Sequence, residues 1–97
     1  MAGDAYGGPN PPGGWQSVLN QSWPLVDDKG RRHAEGIPRR APIAVTARIV
    51  FDVDGEVWLE GTADRWHGRY VCVELHDPRL QVRYVWVDAS DVRRRQA

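Results

Sequence analysis

The chain has one cysteine, one lysine, one methionine and one phenylalanine among its 97 residues. The single thiol, Cys72, excludes an internal disulfide framework and a cysteine-based zinc site, and it suits a reducing, cytoplasmic setting. No apolar run approaches the ~20 residues that a membrane-spanning helix needs. The opening residues lack the basic, apolar and small-residue succession of a secretory signal. The expectation is therefore a cytoplasmic protein with no membrane partner. An excess of charge of one sign is missing too, with 13 basic against 13 acidic residues. Residues 1–41 carry five basic and four acidic side chains, and residues 42–97 carry eight and nine. A non-specific nucleic-acid binder normally shows a clear basic excess, and neither half has one.

Structure is concentrated in the second half. Residues 1–14 are rich in Gly and Pro and have almost nothing to bury, which reads as a disordered tail. Residues 15–41 read as an irregular arm. Within it, Trp23-Pro24-Leu25-Val26, Asp27-Asp28-Lys29-Gly30 and Arg31-Arg32-His33 form a candidate short hairpin, which Pro24 confines to an edge. The core must come from residues 42–97. A domain that small buries only about 60% of its unfolded surface, so a covering arm or a partner would add stability.

From Val45 the apolar period is two, the signature of half-buried strands. Val45, Ala47, Ile49, Phe51 and Val53 form one face of a first strand. Val57, Leu59, Gly61 and Ala63 form that face of a second, with Trp58, Glu60, Thr62, Asp64 and Trp66 turned outward. Val71, Val73 and Leu75 face inward on a third strand, and Tyr70, Cys72, Glu74 and His76 outward. A fourth runs from Leu80 to Val87, with Tyr84 and Trp86 inward. Opposed residues share a face, so the turns set the register. A type I turn over Asp52-Val53-Asp54-Gly55, with Gly55 left-handed, pairs Phe51 with Val57, Ile49 with Leu59, Ala47 with Gly61 and Val45 with Ala63. A Trp66-His67-Gly68 loop pairs Ala63 with Val71, Gly61 with Val73 and Leu59 with Leu75. A turn at His76-Asp77-Pro78-Arg79 aligns Leu75 with Leu80, Val73 with Val82 and Val71 with Tyr84. Gly61 is then the place where the sheet can bend sharply and close. Asp88-Ala89-Ser90-Asp91 reads as a 3₁₀ turn capped by Asp88, and Val92 starts a short fifth strand.

This plan, an antiparallel four-strand meander, a one-turn 3₁₀ helix and a last strand, resembles an SH3-like barrel. Tyr84-Val85-Trp86-Val87-Asp88-Ala89-Ser90-Asp91-Val92 is similar to the stretch where an SH3 domain enters its 3₁₀ turn and final strand. The first hairpin is too tight for the long acidic loop of signalling SH3 domains, and their paired-tyrosine motif is absent. Tudor-like, chromo-like and KOW-like barrels have compact first loops and fit the outline better. Gly55-Glu56-Val57-Trp58-Leu59-Glu60-Gly61, Asp77-Pro78-Arg79-Leu80 and Asp91-Val92-Arg93-Arg94 also resemble uncharacterised small proteins of actinobacteria and of bacteriophages that infect them. That resemblance implies an origin and brings no activity.

No catalytic constellation stands out. Cys72 and His76 lie four apart on one strand, about 13 Å between Cα atoms at ~3.3 Å per residue, whereas zinc needs converging ligands at about 2.0–2.3 Å. His67 sits in a turn. Ser90 has neighbouring carboxylates but no histidine placed to act as base, and capping accounts for all three residues. Glu60 falls opposite Glu74, a pair that neighbouring Arg48 or Arg83 would relieve. The expectation is no enzyme, no cofactor and no metal. What remains is an outer strip of Trp58, Trp66 and Tyr70 interleaved with Arg48 and Arg83. Exposed Trp and Arg dominate protein interfaces. The strip therefore reads as a site for a protein partner, a second copy of the chain included, unless the arm folds back over Trp58. The alternative is a small barrel holding single-stranded nucleic acid on its aromatic faces. Against it stand Glu60, Asp64 and Glu74 on the same face.

Overall fold

A computed structural model describes residues 14–95. It is all-β, with one two-stranded and one five-stranded sheet. In the small sheet, β1 (Leu25–Val26) and β2 (Arg32–His33) pair Leu25 with His33 across the turn at residues 27–31. Asp27 holds that turn by accepting the N–H groups of Lys29 and Arg31 at 2.9 and 2.8 Å. The main sheet is built from β3 (Ile43–Phe51), β4 (Gly55–His67), β5 (Tyr70–Glu74), β6 (Tyr84–Asp88) and β7 (Val92–Arg94). Their order across the sheet is β6-β5-β4-β3-β7, and every pairing is antiparallel. A 3₁₀ turn over Ala89–Asp91 joins β6 to β7, and the Asp88 carboxylate caps it by accepting the Ser90 N–H.

β-Branched and aliphatic residues at every second position give the main sheet one continuous core face. Val45, Ala47, Ile49 and Phe51 from β3, Ala63 from β4, Val73 from β5, and Val85 and Val87 from β6 bury together with Leu75. Phe51, Ile49 and Val73 are closed to solvent, and each such side chain contributes about 1.5–3 kcal/mol by leaving water.

Three expected registers differ from the structure. The first hairpin closes two residues earlier, pairing Phe51 with Gly55, Ile49 with Val57 and Val45 with Gly61. A two-residue slip keeps every side chain on its face, so the core is unchanged. Gly55 is left-handed at φ 77 as the turn chemistry requires. The loop amides, however, are bonded by the arm: Asp52 N–H donates to the Ser17 carbonyl and Asp54 N–H to Gln16 Oε1. Nothing in the local hairpin sequence encodes those partners.

The second hairpin turns on two residues, not three, with His67 opposite Tyr70 and Trp66 opposite Val71. That shorter loop alone would put Ala63 out of phase. A β-bulge between Ala63 and Arg65 restores it, so Ala63 faces Val73 and Thr62 faces Glu74. Trp66 therefore shares the core face with Val71 and does not point outward, and Glu60 lies opposite Thr46 rather than Glu74.

The fourth strand begins at Tyr84, not Leu80. The turn at Asp77 does form, with Leu80 N–H donating to the Asp77 carbonyl at 3.0 Å. It lies within a longer loop that ends where Leu75 N–H meets the Arg83 carbonyl. Val85 and Val87 take the core positions opposite Val73 and Val71, and Tyr84 and Trp86 turn to the other face.

That other face has its own buried layer. Arg65, Cys72 and Trp86 form a row across β4, β5 and β6. Cys72 and Trp86 are 0% and 2% exposed, although they stand away from the core cluster. The Arg65 guanidinium lies 5.5 Å from the Trp86 ring centroid and donates to Cys72 Sγ. The arm supplies the cover. Ser22 N–H donates to the Trp86 carbonyl at one end. At the other, Arg40 N–H donates to the Asp64 carbonyl and Arg39 pairs with the Asp64 carboxylate. Trp23, Leu25 and Ile37 between those anchors are half-buried.

The arm also joins the two ends of the meander. Val18 bridges to Phe51 on β3 and Gln21 bridges to Val87 on β6. Where β7 stops pairing with β3, Asn20 takes over. Its Nδ2 donates to the Arg48 carbonyl and to Asp91 Oδ2 at 2.8 and 3.0 Å, and its Oδ1 accepts the Val50 N–H at 2.9 Å.

A clamp pins the long loop to the first hairpin. Arg79 pairs with Asp77 at 2.9 Å and Asp54 at 3.1 Å, with its guanidinium 4.5 Å from the Phe51 ring centroid. The Arg79 hydrogen bond holds the Asp77 carboxyl below its ordinary value of 3.8, against the opposing effect of burial. A carboxyl whose folded pKa is lowered stabilises the fold above its unfolded pKa and loses that contribution as pH falls through the folded one. Stability is expected to decline as pH drops below about 4. In Asp77→Asn that part of the decline should be absent, measured as urea midpoints across an acid series. An equal acid decline in the variant would mean that the clamp does not titrate.

Candidate functional site

Arg48 and Trp58 are directly opposed on β3 and β4, on the face away from the core. Trp58 remains 37% exposed. Its indole N–H donates to Glu56 at 3.3 Å, and Glu56 also accepts from Arg48 Nε at 2.9 Å. Arg48 bridges on to Asp91 at 3.1 Å. From β7, opposite Thr46, Arg93 lays its guanidinium over the Trp58 ring at 4.2 Å from the centroid. A cation so placed is attracted by the ring's quadrupole, worth about 0.5–1 kcal/mol at an exposed site.

Arg93 aside, the charges in this patch are matched. Hydrogen bonding from Arg48 holds the Glu56 carboxyl below its ordinary range, and Glu56 and Asp91 together raise the Arg48 guanidinium. The neighbouring Arg95 reaches Glu60 and the carbonyls of Val45 and Gly61. The patch therefore presents an amphipathic ring framed by paired ions.

The other three candidate residues lie elsewhere. Trp66 is on the core face, with the Arg40 guanidinium 4.9 Å from its ring centroid. Tyr70 stands between His67 and Asp88 at the far end of the β4–β5–β6 ladder. Arg83 is exposed in the long loop, whose residues form a shallow cleft with Trp15. The five residues thus do not form one strip. Arg48 and Trp58 come together, and Arg93, which is not among the five and lies in a run that reads as a solvated tail, joins them. The signal for Arg93 was available: placing the last strand beside β3 sets it across from Thr46, next to Trp58.

Among the described residues no three His, Cys, Asp or Glu side chains converge to hold a metal ion, and no helix is long and apolar enough to cross a membrane. Ser90 donates both its N–H and its hydroxyl to Asp88, which commits the hydroxyl to the cap. Burial pushes the Cys72 thiol up from 9.0, against the Arg65 hydrogen bond, so it is held as a neutral, inert side chain. No family model matches the chain, and neither a curated protein nor a solved structure does.

Proposed function

We propose that the chain is a non-catalytic binding module of SH3-like form that recognises a protein partner through the Trp58 patch. The strand order β7-β3-β4-β5-β6 with a 3₁₀ turn before β7 supports that form. So does β4, which pairs with β3 over its first part and with β5 over its last. The arm, bonded to both β3 and β6, would close the barrel between its two ends. In this reading the protein works in the cytoplasm as a small factor, phage-encoded in an actinobacterial host, that acts on a host protein.

The observation that carries the protein-binding reading is the partly exposed Trp58 ring stacked on Arg93. Trp and Arg supply most interface hot spots. A nucleic-acid strand would need several free cations along its backbone, and in this patch Arg48 and Arg95 are committed to carboxylates, which leaves Arg93. The test is affinity capture with wild type, Trp58→Ala and Trp15→Ala. Loss of a captured protein with Trp58→Ala alone, while its melting temperature stays near wild type, is the expected result, with affinity reduced about 30-fold or more for a hot spot of ~2 kcal/mol. Equal capture by all three chains would place the site elsewhere. Salt-sensitive oligonucleotide binding would replace the reading with the nucleic-acid one.

A further inference from the structure

The bulge that turns Trp66 to the core face has a second effect. It leaves an open cavity of about 330 Å³ at the end of that face, beside the terminal strand β7. Ile43, Val71 and Val92 line its apolar floor, Trp66 forms a wall, and Arg94 stands at its rim, opposite Val45 in the ladder. No acidic side chain lines it. Arg40 brings a second positive charge against Trp66. Among the described residues neither Arg94 nor Arg40 is in an ion pair, in contrast to Arg48, Arg79 and Arg95.

We infer that this cavity binds the C-terminal end of a peptide, with its last apolar side chain on the floor and its carboxylate on Arg94. The volume is at the lower end of ligand-sized pockets, which suits one large aliphatic or aromatic side chain. A guanidinium with no internal partner is complementary to a carboxylate and can hold it bidentately. A nucleotide fits less well, because the Trp66 indole N–H is the one neutral hydrogen-bonding side-chain group in the lining, a single donor against the several groups on the edge of a base. An extended chain end at this position lies alongside β7, the last strand of the sheet, in the manner of an added strand. The site is on the face opposite Trp58 and stands or falls independently of the Trp58 patch.

The test is NMR titration of the isotope-labelled full chain with acetyl-Gly-Gly-Leu, free acid against C-terminal amide, and with uridine monophosphate. The free acid is expected to shift the Trp66 indole and the Gly68 and Val71 amides saturably at roughly millimolar concentration. The amide should bind about tenfold more weakly or worse, the loss expected for one charge-assisted hydrogen bond. Arg94→Gln, a change at an exposed edge position, should show the same loss while its remaining resonances keep their places. The acid-against-amide comparison on the wild-type chain decides the matter whatever that variant does. Equal binding of acid and amide, no shift at these resonances, or a response to the nucleotide alone would each overturn the assignment.

Discussion

Gly61→Ala is expected to cost about 3 kcal/mol, at the upper end for an overpacked interior site. A Cβ at this position would lie 2.2 Å from the Glu74 carbonyl oxygen and 2.7 Å from Leu75 Cδ2. The nearer atom is backbone, inside the β4–β5 ladder, and cannot step aside without breaking the pairing of Thr62 with Glu74. For a domain of this size the loss corresponds to a melting temperature lower by about 15 °C. Trimming the flexible neighbour as well, in Gly61→Ala with Leu75→Val, should recover little, because the carbonyl contact remains. Thermal melts of the three chains check this. A Gly61→Ala chain that melts within a few degrees of wild type would show that β4 and β5 can separate there cheaply.

Trp86→Ala should be at least as damaging, about 3–5 kcal/mol for removal of a large buried aromatic side chain. Its effect should also be local in a recognisable way. Trp86 is the floor on which the arm rests, with Ser22 bonded to its carbonyl and Arg65 over its ring. Hydrogen exchange should therefore accelerate first at Ser22 and Arg40, whose amides are held only by the arm's docking, before the β3–β4 ladder opens. Trp58→Ala is the contrast: on an exposed patch the same substitution should leave exchange and melting near wild type. If Trp86→Ala were tolerated as well as Trp58→Ala, the second buried layer would contribute nothing to stability.

The two tryptophans also mark what could be read from the residues alone. Alternation from Val45 onward defined the strands and most of the core, because a period of two survives any slip of two residues. The early closure at Phe51–Gly55 illustrates this: the register moved and no side chain changed face. Odd shifts are different, and nothing in the apolar pattern reveals them. The extra residue at the Asp64 bulge carried Trp66 to the core face, and the late start of β6 at Tyr84 carried Trp86 off it. In both stretches each face offers an apolar residue, so either phase looks equally good. For the candidate site, alternation put Arg48 and Trp58 on one face, but the expected register set Arg48 opposite Glu60, and the two-residue slip made the direct pairing. The Arg93 contact needed the long-range placement of β7. The arm's seat on β3 and β6 rests on main-chain and amide hydrogen bonds, with only Val18 of the arm packed against the core cluster, and such bonds leave no hydrophobic trace.

The bonds made by Asn20 have a consequence for synthesis. Asn20 and Asp91 meet across 71 positions of chain, so an arm that is made before the sheet is among the last segments to find its place. Until β6 and the 3₁₀ turn leave the ribosome, the arm has no second edge to hold, and the growing sheet carries an open flank at Phe51. Contacts this distant in sequence slow folding, because the loop must close before they repay it. In that interval a nascent neighbour's arm could occupy the same seat on β3. The joint that completes the finished molecule is then also the place where two unfinished ones would most readily exchange.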